Sequence, residues 1–124
     1  MLDVAHNPAG AWALRSALSS YAQERRITVV FGAMQDKKID EIASILFPIA
    51  EQVVLTRAET LRAAQPEVLA QQAAHTGSEF VLAGSVGDAL KVAAERTASD
   101  GLIVVTGSVY VVGEALSALD GGAH

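Results

Sequence analysis

Ile27-Thr28-Val29-Val30-Phe31 is apolar almost throughout, rich in β-branched residues, and stopped by Gly32. A strand that shows no alternation of apolar and polar residues is buried on both faces, which requires a parallel sheet with helices above and below it. The same pattern returns at Val53–Thr56 before Arg57, at Phe80–Ala83 before Gly84, and at Leu102–Thr106 before Gly107. A shorter apolar entry, Met1-Leu2, precedes Asp3 and reads as the end of a further strand.

Helical spacing fills the intervals. Ala11, Leu14, Leu18, Tyr21 and Ala22 mark one apolar stripe over residues 8 to 24, and Trp12 reads as a packing residue there. Ile39, Ile42, Ala43 and Leu46 mark a second helix, which Pro48 ends. Pro66 opens a third, carrying Val68, Leu69 and Ala73, and Gly77 closes it. Ser85 with Asp88 resembles a capping box in front of Val86, Ala89, Leu90, Ala93 and Ala94. A last helix is expected from Val109 to Leu119. The expected fold is therefore α/β: a three-layer αβα, Rossmann-like, mostly parallel sheet of about five strands with helices on both faces. One domain spans 1–119, and 120–124 is expected to be a flexible tail. The long connection from Ala58 to Gln65 is either a functional loop or, as favoured here, a surface excursion.

Nine Lys and Arg against fourteen Asp and Glu give a net charge of −5, the wrong sign for a protein that neutralises nucleic-acid phosphates. No apolar run approaches the roughly 20 residues of a membrane helix, and neither a secretory signal nor cysteine is present. A cytoplasmic location without nucleic-acid or membrane partners is expected. The glycine fingerprints of dinucleotide and P-loop folds are missing, as is a nucleophile elbow, and no metal-ligand cluster stands out.

Three polar turns remain, each at the carboxyl end of an expected strand: Asp3 to Pro8, Gly32 to Lys38, and Thr106 to Tyr110. A parallel sheet puts all three on one edge, where α/β folds bind ligands. Each side chain has two readings. Asp3 meets a ribose hydroxyl or accepts N–H bonds in a tight turn. His6 is a ligand group or a structural histidine. A lysine ammonium of the second turn meets a carboxylate ligand, or Asp36 with Lys37 and Lys38 forms a solvated helix start. Asn7 and Ser108 suit helix caps. Tyr110 serves the ligand or packs under the sheet.

Three stretches also resemble a known family. Asp3-Val4-Ala5-His6-Asn7-Pro8 is similar to the Asp-Gly-Ala-His-Asn-Pro that opens the C-terminal domain of folylpolyglutamate and dihydrofolate synthases, in the Mur ligase superfamily. Val30–Lys38 is similar to that family's Val-Phe-Gly-Ala-x-x-Asp-Lys-Asp, and Thr106–Glu114 to its Thr-Gly-Ser-Leu-Tyr-Leu-Val-Gly-Glu. Val4 departs from the family's Gly. The resemblance implies a domain of an ATP-dependent acid–amino-acid ligase, which activates a folate or dihydropteroate carboxylate as an acyl phosphate and joins L-glutamate to it. ATP and Mg2+ would serve the full-length enzyme, with metal ligands and P-loop in a preceding central ATPase domain. The lone chain would be inactive. Carried over by position, Asp3 would bind the nucleotide ribose. His6 and Ser108 would be catalytic and glutamate-binding, with Asn7, Lys37 and Tyr110 also at the glutamate site. A free-standing nucleotide- or amino-acid-binding regulatory module, or the C-terminal domain of a peptidoglycan Mur ligase, are the alternatives.

Overall fold

The computed structural model describes residues 1–35 and 37–122. Five parallel strands, β1 (Leu2–Asp3), β2 (Ile27–Gly32), β3 (Gln52–Leu55), β4 (Phe80–Leu82) and β5 (Leu102–Gly107), form one sheet in the order β1-β5-β2-β3-β4. Five helices connect or follow them: α1 (Pro8–Glu24), α2 (Ile39–Leu46), α3 (Pro66–Ala73), α4 (Val86–Arg96) and α5 (Val109–Gly122). The chain moves across the sheet in one direction from β1 to β4 and then returns to insert β5 between β1 and β2. Crossovers of one hand that reverse direction must place their helices on opposite faces. Accordingly α1, α2 and α3 cover one side, with Leu14, Leu18, Ile42, Leu46 and Leu69 packed on Val29, Phe31 and Val104. The other side is covered by α4 and α5, whose Val86, Ala89, Ala93, Val111 and Ala115 meet Val30, Val54 and Val105.

Local signals explain most boundaries. Asn7 caps α1 by accepting the Gly10 N–H at 2.7 Å, with Pro8 in the first turn. Ser85 Oγ accepts the Asp88 N–H at 3.1 Å, so the Asp version of the capping box works as a one-sided cap. A 3-10 turn at Phe47–Ile49 carries Pro48 after α2, and another at Ala74–Thr76 ends at Gly77, whose φ of 73° is left-handed.

Some expectations need correction. β4 is an edge strand only half covered, with Leu82 exposed, so it is not buried on both faces. The α1 stripe ends at Leu18, because Tyr21 is exposed where the helix runs beyond the sheet's cover. Trp12 is also exposed and lies against the Arg15 guanidinium, 5.4 Å from the ring centroid, instead of packing inward. α5 continues past Leu119 to Gly122, since helix ends set by backbone bonds run a residue or two beyond sequence signals. Ala123 and His124, the rest of the expected tail, lie outside the described residues.

Candidate functional site

The strand order reverses at β5, and there the following segments part to opposite faces. β1 and β2 lead into α1 and α2 on one side, while β5 leads into α5 on the other. A crevice beyond the carboxyl ends of these strands is the geometric consequence. It is occupied by a cavity of about 250 Å³ lined by Val4, His6, Met34, Lys37, Arg62, Ser108, Val109 and Tyr110.

Two glycines bring its walls together. Gly32 and Gly107 are register partners at the ends of β2 and β5, and the Ser108 N–H donates to the Gly32 carbonyl at 2.9 Å. Gly107 has φ 114°, a conformation that side chains rarely adopt. The chain can then turn sharply into α5 with Ser108 at its start. Ser108 is buried, and its Oγ accepts the Val111 N–H at 3.1 Å, which makes it the helix cap. A hydroxyl that accepts through a lone pair keeps its own proton for a ligand. The two readings of Ser108 are thus compatible.

The structure brings His6, Lys37, Ser108 and Tyr110 into one cavity. Tyr110 is half exposed at the rim and does not pack under the sheet. Asn7 lies in an adjoining hollow with His6, Pro8, Lys37 and Lys38, and its side-chain oxygen is engaged in the α1 cap. Asp3 is exposed at the end of β1, opposite Thr106 in register, and is not part of the cavity lining. Asp36 lies outside the described residues.

Arg62 and Met34 were not singled out from sequence. Arg62 belongs to the 58–65 connection, which is no mere surface excursion. Its Ala58, Ala63 and Ala64 are buried, and its backbone binds the segment after β2, with Gln35 N–H to Arg62 carbonyl and Ala64 N–H to Ala33 carbonyl, each 2.9 Å. Met34 and Ala63 form an antiparallel bridge. From the other side, Glu114 of α5 accepts the Glu59 N–H at 2.7 Å. The alanine-rich composition was the available signal, since small residues in a long connection permit close backbone contact.

No group of three or more His, Asp or Glu able to hold a metal ion is found among the described residues. No helix among them is long and apolar enough to cross a membrane.

The family model described as Mur ligase, glutamate ligase domain, matches residues 1–109. A probable bifunctional folylpolyglutamate synthase/dihydropteroate synthase of Haloferax volcanii is 34% identical over 116 residues, covering 93% of this chain and 14% of its own length. The dihydrofolate synthase/folylpolyglutamate synthase of Mycobacterium tuberculosis is 35% identical over 129 residues, covering 92% of this chain and 26% of its own length. The crystal structure of the Mycobacterium tuberculosis folylpolyglutamate synthase complexed with ADP and AMPPCP superposes with a TM-score of 0.81 at 35% identity, over 93% of this chain and 28% of that one. A bifunctional folylpolyglutamate synthase/dihydrofolate synthase with Mn, AMPPNP and L-glutamate bound gives a TM-score of 0.85 at 26% identity, over 96% and 29% of the two chains. This chain thus spans between 14% and 29% of the length of these relatives.

Proposed function

The chain belongs to the Mur ligase family as a glutamate ligase domain, and from that premise we propose that it is the C-terminal domain of an ATP-dependent folate ligase. Such an enzyme adds L-glutamate to folate or dihydropteroate. The observation that carries this reading is the meeting of His6, Lys37, Ser108 and Tyr110 in the crevice at the strand-order reversal. The folate branch is favoured over the peptidoglycan branch by the relatives of 34% and 35% identity.

The proposed roles follow from the placement of each group. A preceding ATPase domain would transfer the terminal phosphoryl group of ATP to a substrate carboxylate. The glutamate amine would then attack the acyl phosphate, forming a tetrahedral intermediate that expels phosphate. This domain would close over the reacting groups and hold the amino acid in position. Lys37 offers an ammonium, and Ser108 a hydroxyl proton, to the glutamate carboxylate. His6, on the turn before α1, orients the incoming amine. Tyr110 and Asn7 flank them. Asp3 stands apart from the cavity and is exposed, which suits a ribose contact at its edge.

Incubating the complete polypeptide with ATP, L-glutamate and either folate-type or muramyl acceptors tests the assignment. Glutamate incorporation into the folate-type acceptor is expected. Incorporation into the muramyl acceptor alone transfers the domain to the peptidoglycan branch.

A further inference from the structure

A hollow of about 450 Å³ opens at the amino ends of β3 and β4, the end of the sheet opposite the crevice. Alternation along β3 puts Gln52 on the same face as Val54, which packs with Val81 against α4. Thr28, the register partner of Gln52, is hydrogen-bonded to Thr97 just beyond α4 at 2.7 Å. The hollow thus lies between these strands and the last turn of α4, which carries Arg96. Gln52 Oε1 is buried and has no hydrogen-bond partner among the described residues. An acceptor taken out of water without a donor is costly, and the nearby hydroxyls of Thr28 and Thr97 already bond each other. Glu79 and Arg96 line the same hollow, yet among the described residues neither makes an ion pair or hydrogen bond, even with the other. The position of Arg96 suits the helix dipole, and that role leaves its guanidinium fork open to a carboxylate. Glu51, also in the lining, is engaged by Arg26 at 3.4 Å.

Opposite charges that share a hollow without touching leave room for a ligand carrying both signs. We propose that this hollow binds a small zwitterion, a free α-amino acid with an uncharged side chain. Its ammonium meets Glu79 and supplies the donor that Gln52 Oε1 lacks, and its carboxylate meets Arg96. The lining holds no further unpaired charge, so the side chain is uncharged. This site is separate from the crevice and does not depend on the ligase reading.

The 124-residue chain is titrated with L-valine, with isobutylamine, which lacks the carboxylate, and with isovalerate, which lacks the ammonium, while backbone amide shifts are followed by NMR. L-Valine should shift the Gln52, Glu79 and Phe80 amides and bind there about tenfold more tightly than either fragment. Arg96→Gln should lower L-valine affinity to that of isobutylamine, and Glu79→Gln should lower it to that of isovalerate. Gln52→Leu should weaken L-valine binding about tenfold without lowering Tm, since it removes a buried acceptor that nothing in the fold satisfies. Isobutylamine binding as tight as that of L-valine, and indifferent to Arg96→Gln, overturns the zwitterion in favour of a simple cation. L-Valine affinity unaltered in all three variants overturns the site. Shifts confined to His6 and Ser108, or absent from all of these residues, overturn it as well.

Discussion

Gly107 and Gly32 approach so closely at the ends of β5 and β2 that a Cβ added to Gly107 would stand 1.9 Å from the Gly32 carbonyl oxygen. At φ 114° the added carbon would be strained even without that contact. The atom it meets is backbone, so the clash cannot be relieved by a rotamer change.

Gly107→Ala should therefore destabilise the domain by on the order of 3 kcal/mol, with a fall in Tm of roughly 10 °C. Thermal unfolding followed by circular dichroism measures it. A change below about 1 kcal/mol would mean that the turn into α5 relaxes easily, and that the positioning of Ser108 does not depend on this approach.

Val104→Asp should prevent folding. Val104 is completely buried in the larger core, and removing it loses about 1.5–3 kcal/mol of burial while introducing an unpaired charge. The expected result is no cooperative transition in urea. Asp3→Ala should behave oppositely, because Asp3 is exposed. It should leave the midpoint unchanged but weaken nucleotide binding to the complete ligase about tenfold. Collapse of the fold in Asp3→Ala would assign the carboxylate to the turn instead.

Ser108→Ala should show both consequences of its double role. Loss of the cap to the Val111 N–H costs about 1 kcal/mol of stability. Loss of the free hydroxyl proton should raise the ligase KM for glutamate about tenfold. A stability change with unaltered KM would leave Ser108 as a cap alone.

Glu114→Ala should loosen the 58–65 connection without unfolding the sheet, since its carboxylate holds the Glu59 N–H. Hydrogen exchange at Glu59 should accelerate about tenfold, as expected for a bond to a charged acceptor. The complete ligase should also lose affinity for glutamate as Arg62 is released from the cavity wall. Unchanged exchange at Glu59 would show that the backbone bonds to Ala33 and Gln35 hold the loop by themselves.

The sheet was legible because β2 and β5 are buried through most of their length and therefore lack alternation. β4 misled for a related reason: Phe80, Val81 and Leu82 are as apolar as a central strand, and only the strand order reveals that one edge of the sheet ends there. His6, Lys37 and Ser108 could be found because they follow directly on strands in a parallel sheet, whose carboxyl ends must share an edge. Arg62 could not be found that way. It reaches the cavity through backbone bonds between two connections, for which the only trace in the sequence is the alanine content of residues 58–65, and that says nothing of which side chain enters the cavity. Trp12 misled because a large aromatic suggests the core, although it lies off the Ala11–Leu14–Leu18 stripe on the solvent side of α1.

The central claim is that this domain supplies the amino-acid site of a ligase whose phosphoryl chemistry resides in a preceding domain. ATP-dependent attachment of L-glutamate to folate or dihydropteroate, measured for the complete polypeptide, its His6→Ala variant and the 124-residue chain alone, tests it most directly. Activity is predicted for the complete polypeptide, with a loss of at least about a hundredfold in His6→Ala and no turnover by the chain alone. Robust ligation by the 124-residue chain, or full activity in His6→Ala, would contradict the account.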